Sequence, residues 1–134
     1  MEPELIRDAA VTALEDIKAR DIEVLDVRAL TSLFDWVIVA SADSSRQTRA
    51  LANHVQDQAK QAGASVRPLE GGASGEWILV DLGSVVVHVM QPATREFYNL
   101  SELWGGHTLR RPPGFGLPMG LRRPPEPTHA SSAF

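Results

Sequence analysis

The chain has 134 residues, a mass of 14.6 kDa and a formal net charge of -4, enough for one domain with a sizeable core and too little for two ordinary ones. Hydrophobic residues at 43% and charged residues at 22% describe a folding chain rather than a disordered one. With no cysteine, a disulfide scaffold, a thiolate metal site and a cysteine nucleophile are excluded, and a reducing cytosol is the expected compartment.

In chain order, Ile6, Ala10, Ala13, Leu14 and Ile17 share one helical stripe, with Pro3 at its start and the charged Arg20-Asp21 beyond its end, which predicts a first helix. Residues 22–27 alternate as a strand. Residues 34–40 form a nearly continuous apolar run of strand length, as expected for a strand buried on both faces and central in a sheet. Ser44-Ser45-Arg46-Gln47 has capping-box spacing, and Leu51, Ala52, Val55, Ala59 and Ala62 follow at helical spacing up to the C-capping Gly63. Residues 66–69 read as a short strand and residues 70–75 as a loop whose glycines permit positive φ. Residues 77–82 and 85–90 are β-rich runs joined by Gly83-Ser84, a composition that suits a II′ hairpin. After Pro92 a last helix is expected to carry Phe97, Leu100 and Trp104 on one stripe, with Tyr98 and Leu103 beside it. The order αββαβββα predicts an α/β fold with a mixed sheet of about five strands and helices packed on it.

Composition changes after Trp104. Residues 1–104 hold 9 Lys+Arg against 16 Asp+Glu, whereas residues 105–134 hold 4 Arg against Glu126 together with six prolines and five glycines. The expected organisation is therefore one domain over residues 1–104 and a flexible Pro/Gly/Arg-rich tail over 105–134. Within the tail, Arg110-Arg111-Pro112-Pro113 recurs as Arg122-Arg123-Pro124-Pro125. Paired arginines can touch RNA phosphates, but so small a charge makes a solubilising, disordered extension the preferred reading. No stretch approaches the roughly 20 apolar residues of a membrane span, and Met-Glu-Pro-Glu lacks the order of a signal peptide, so a soluble, unexported protein is expected.

The usual catalytic signatures are missing. His54, His88, His107 and His129 lie far apart, with none at the spacing of a zinc site, and His88 reads as a satisfied histidine within a strand. The glycine-rich turn lacks the Lys-Ser/Thr of a phosphate loop and is not a nucleophile elbow. Asp21-Ile22-Glu23 places two carboxylates on one strand face, a pair that can hold Mg²⁺. No Gly-Ser pair precedes it to grip a nucleotide phosphate, so a solvated strand start is the preferred reading and a nucleotidyltransferase-like enzyme the alternative. Along residues 77–82, alternation puts Trp77, Leu79 and Asp81 on one face and Ile78, Val80 and Leu82 on the other. With both faces mostly apolar, part of one face or the aromatic final helix is a candidate docking patch. From pattern alone, core anchors are the preferred reading of Trp77, Tyr98 and Trp104 over interface residues.

A series of segments in fixed order carries more. Leu25-Asp26-Val27, Phe34-Asp35-Trp36-Val37-Ile38, Ser44-Ser45-Arg46-Gln47 with Ala50-Leu51-Ala52, Glu70-Gly71, Trp77-Ile78-Leu79-Val80-Asp81, Val87-His88-Val89-Met90, and Arg95-Glu96-Phe97-Tyr98-Asn99-Leu100 with Leu103-Trp104 together resemble the ribosomal silencing factor (Iojap-like) family. The resemblance covers roughly residues 4–104. Ser101 stands where that family usually has Glu, and Ala42 where Gly is common. The resemblance implies a fold similar to nucleotidyltransferases without their catalytic residues, no cofactor and no metal. It also implies a non-catalytic function: binding to the large ribosomal subunit through ribosomal protein uL-fourteen, blocking of subunit joining and repression of translation in the cytoplasm. Homodimers are known in the family, and a large-subunit assembly factor is a further alternative. The docking role it implies falls on Trp77, Leu79, Asp81, His88, Tyr98, Leu100, Glu102, Leu103 and Trp104. The aromatic and aliphatic members would fill pockets, while Asp81 and Glu102 would meet basic groups.

Overall fold

The structure, a computed structural model, describes residues 3–71 and 74–100. The expected boundary at residue 104, the tail, and the C-terminal part of the final stripe lie outside those residues. The described elements are α1 (Pro3–Asp16), β1 (Arg20–Asp26), β2 (Trp36–Ser41), α2 (Ser45–Gln61), β3 (Trp77–Asp81), β4 (Val85–Met90) and α3 (Pro92–Tyr98). They build one mixed sheet in the order β1-β2-β4-β3, with β2 and β4 parallel and the two outer pairs antiparallel. Every residue of β2 and β4 is buried, as their continuous apolar composition requires of strands covered on both faces.

Period-2 alternation sorts the apolar side chains into two cores. On one face Ile22, Val24, Trp36, Ile38, Ala40, Ile78, Val80, Val85, Val87 and Val89 meet the apolar stripes of α1 and α2, including Ile6, Ala10, Leu14, Leu51, Val55 and Ala59. On the other, Leu25, Val27, Phe34, Val37, Val39, Trp77, Leu79, Val86, Met90 and Leu100 form a smaller cluster, with Tyr98 packed against it. α3 belongs to this second face, because Arg95 reaches Ser41 and Tyr98 stacks on Trp77.

The local signals at α2 are realised. The Gln47 N–H donates to the Ser44 hydroxyl at 3.1 Å, while the Gln47 carboxamide oxygen accepts from the Asp43 N–H at 2.7 Å. The same side chain donates to the carbonyls of Ile17 and Lys18 at 3.1 and 3.2 Å, joining the start of α2 to the end of α1. At the far end Gly63 takes φ 99° and Ala64 N–H bonds back to the Ala59 carbonyl, a Schellman closure that satisfies orphan carbonyls. In the β3–β4 hairpin Gly83 has φ 90° while Ser84 does not have positive φ, the signature of a II′ turn.

Four strands are described rather than five. Residues 66–69 run beside β3 without forming a strand, leaving only the bridge between Glu70 and Leu79. Two residues back, the next hydrogen-bonded antiparallel position sets Pro68 opposite Asp81, and proline has no N–H to donate. The Arg67 N–H reaches the Asp81 carbonyl instead, at 3.2 Å. The final helix also departs from expectation. Asn99 adopts φ 45° and ends α3, so Leu100 turns inward to 2% exposure while Phe97 stays 79% exposed. A continuous helical stripe would have put both on one side.

Candidate protein-docking face

The antiparallel pairing of β3 with β4 sets Leu79 opposite His88 and Trp77 opposite Met90. Trp77, Leu79 and Asp81 therefore share a face with His88, and Leu100 and Tyr98 pack on the same side. Six of the residues expected to dock a partner are thus brought together. Glu102, Leu103 and Trp104 lie outside the described residues. Trp77, Leu79, His88 and Leu100 are buried, at 2% exposure or less, so in this chain they underlie the face and shape it. Among the described members Tyr98, half-buried, is the one that reaches solvent.

The polar members of the face are hydrogen-bonded. The Trp77 indole N–H donates to His88 Nδ1 at 3.0 Å in the interior. Since indole can only donate, this Nδ1 is the acceptor and the ring proton sits on Nε2. Trp77 also lies 4.7 Å from the Tyr98 ring at a 52° tilt, within the range of favourable aromatic packing. Asp81 is already met from within the chain: its carboxylate accepts from the Gly83 N–H at 2.9 Å and from Arg67 at 3.3 Å.

Arg95, which the sequence reading did not single out, ties α3 to the sheet. Its guanidinium donates to the Ser41 hydroxyl at 2.8 Å and to Glu23 at 3.0 Å, with the Arg95 and Glu23 side chains only 17% and 15% exposed. The partners lie 54 and 72 residues away along the chain, so no local spacing announces them.

The same contact bears on the alternative carboxylate site. β1 has a bulge between Arg20 and Glu23, and Asp21 takes φ 51°, which interrupts the alternation that would set Asp21 beside Glu23. Asp21 is solvent-exposed, whereas Glu23 is held by Arg95. Among the described residues no group of three or more His, Cys, Asp or Glu is arranged to hold a metal ion. No helix among them is long and apolar enough to cross a membrane.

At the other end of the sheet, Gly75 approaches the start of α2. It has φ 75°, and a Cβ there would lie 2.5 Å from the Ser45 Cβ. The Ser45 hydroxyl donates to the Ser74 carbonyl, and the Gln91 carboxamide donates to the Gly75 carbonyl at 2.8 Å. Gly75 thus sits in a structural clasp joining α2, β3 and the start of α3, which explains a glycine at that position.

Comparison with known proteins gives this face its setting. The family model described as ribosomal silencing factor during starvation matches residues 2–131. A ribosomal silencing factor of Chromobacterium violaceum is 56% identical over 106 residues, spanning 79% of this chain and 87% of that protein. A crystal structure of a Chromobacterium violaceum protein superposes with a TM-score of 0.77 at 51% identity, covering 90% of this chain and 97% of the other. A mouse protein named mitochondrial assembly of ribosomal large subunit protein 1 is 35% identical, over 77% of this chain and 45% of its own length. With a family model matched along nearly its whole length, the chain belongs to the ribosomal silencing factor family.

Proposed function

We propose that this protein binds the large ribosomal subunit through ribosomal protein uL-fourteen, on the surface that faces the small subunit, and so prevents the subunits from joining and represses translation. The observation that carries this reading is membership of the silencing-factor family across residues 2–131. Silencing of this kind is steric competition: a folded domain seated on an intersubunit surface excludes the other subunit with no bond made or broken. The action is non-catalytic, takes place in the cytoplasm and requires only occupancy. A contact of about 1,200–2,000 Å² is sufficient.

The face built on Trp77, Leu79, Asp81, His88, Tyr98 and Leu100, continued by Glu102, Leu103 and Trp104, is the proposed docking surface. Its support is that the described members share one side of the sheet beside a half-exposed tyrosine. Aromatic side chains backed by a rigid interior are the usual anchors of such contacts. A homodimer through the same face would compete with ribosome binding. The paired arginines of residues 105–134 would add a contact to ribosomal RNA. The fold is proposed to be related to nucleotidyltransferases without their chemistry, in keeping with a Glu23 occupied by Arg95.

The test is to mix the full chain with separated ribosomal subunits and follow joining and co-sedimentation in a sucrose gradient. Travel with the large subunit and fewer joined ribosomes are expected. A protein that stays at the top of the gradient while joining proceeds overturns the reading. The mouse relative's name favours a second reading, action during large-subunit assembly. Accumulation of precursor large subunits in a deletion strain, with normal joining of mature subunits, would select it.

A further inference from the structure

Of the large apolar side chains that stand out of the body, Leu5, Leu33 and Phe97, the most exposed is Phe97. It is also the one in ring contact with the docking face. Its ring lies 4.9 Å from Tyr98 at 83°, edge to face, and Tyr98 in turn lies 4.7 Å from Trp77. Trp77 is fixed by its hydrogen bond to the buried His88. Three rings thus climb from the interior of the sheet to solvent. The chain on both sides of Phe97 is pulled inward, by Arg95 bonded to Ser41 and Glu23 and by Leu100 in the core. Asn99, in left-handed conformation with its N–H on the Arg95 carbonyl at 2.8 Å, makes the turn that separates them. Phe97 is left projecting because its neighbours are anchored.

The electrostatic surroundings select the partner. Arg95 and Arg67, the arginines that reach this face, are consumed by Glu23 and Asp81. Glu96, next to Phe97 on α3, is exposed and has no ion pair among the described residues. An exposed phenyl ring beside an uncompensated carboxylate is a poor match for nucleic acid phosphates and fits a basic protein surface. We infer that Phe97 is an anchor of the docking face, inserting into an apolar pocket on a basic protein, and that Arg95 is the positioning residue that presents it. This inference rests on the proposed function and names the chemistry of the partner's contact.

The experiment measures binding of the full chain to purified large ribosomal subunits, alongside thermal unfolding and sedimentation of the free protein. For Phe97→Ala the dissociation constant is expected to rise at least tenfold with the unfolding temperature unchanged, since a side chain this exposed contributes little to the fold. Glu96→Gln should slow association and flatten its salt dependence. Arg95→Ala should weaken binding in the parent protein and add little more in the Phe97→Ala background, because both changes remove the same anchor. A wild-type chain that ignores the subunits defeats the proposed function itself. Wild-type binding matched within twofold by Phe97→Ala overturns only the inference. So does a lowered unfolding temperature for Phe97→Ala, which would return the ring to the core, or a loss confined to self-association, which would make the partner a second copy. Additive losses for Arg95→Ala and Phe97→Ala would remove the positioning role.

Discussion

The two faces of the sheet are built on different terms. The face under α1 and α2 is apolar except for Thr48, whose hydroxyl is spent on the Ser44 carbonyl of its own helix, and the indole N–H of Trp36; it is closed by two helices whose small residues, Ala10, Ala13, Ala52 and Ala59, allow close approach. The opposite face mixes Leu79, Val86 and Met90 with the buried polar groups Ser41, Asp81 and His88, and α3, the helix on it, has seven residues. The first arrangement maximises the area removed from water. The second gives up some of that area for hydrogen bonds that fix the position of each ring, because a buried polar group is tolerated only where its partner stands. One face holds the fold together and the other holds a shape.

The sharpest way to break that contrast is to attack the helical face. Leu51→Ala, at a fully buried position of α2, should destabilise by about 3 kcal/mol in urea unfolding. A loss below about 1 kcal/mol would show that this face is no more tightly packed than the other. Gly75→Ala should lose about 2 kcal/mol by the same measurement, from positive φ and from overlap with Ser45; a neutral result would mean that the turn is free to move away from α2.

The opposite face responds to a subtler change. Trp77→Phe keeps the ring but withdraws the donor from His88 Nδ1, and should destabilise by about 1.5 kcal/mol while weakening subunit binding more than Leu51→Ala does. Equal effects of the two variants on binding would erase the division of labour. Smallest of the set, Ser44→Ala removes the cap of α2 and should cost about 1 kcal/mol with unchanged binding, read from parallel unfolding and sedimentation.

Much of the helical face was legible in the sequence. Ser44, Gln47 and Gly63 mark α2 because caps act within a few residues, and the alternation in residues 77–82 assigned side chains to the correct faces because a pleat has period 2. The hairpin at Gly83-Ser84 was legible from its composition, and in the structure its register sets His88 beside Leu79. What stayed hidden was non-local. The missing ladder position at Pro68 depends on which residue of β3 it faces, the Arg95 clip joins residues 72 apart, and the left-handed turn at Asn99 separates Phe97 from Leu100, which spacing had set on one stripe. The bulge at Asp21 likewise undid a carboxylate pairing that spacing alone suggested.

The segment beside β3 has a further effect on how the molecule meets its neighbours. An outer strand with open N–H and C=O groups invites other chains to add to the sheet. Along β3 the carbonyls of Leu79 and Asp81 are taken by Glu70 and Arg67, and Pro68 offers no donor to an incoming strand. On the far side, β1 is bent by its bulge and studded with Arg20, Asp21 and Asp26. Both margins thus discourage polymerisation through the backbone. The chain can therefore be concentrated without growing into fibres, leaving recognition to side chains.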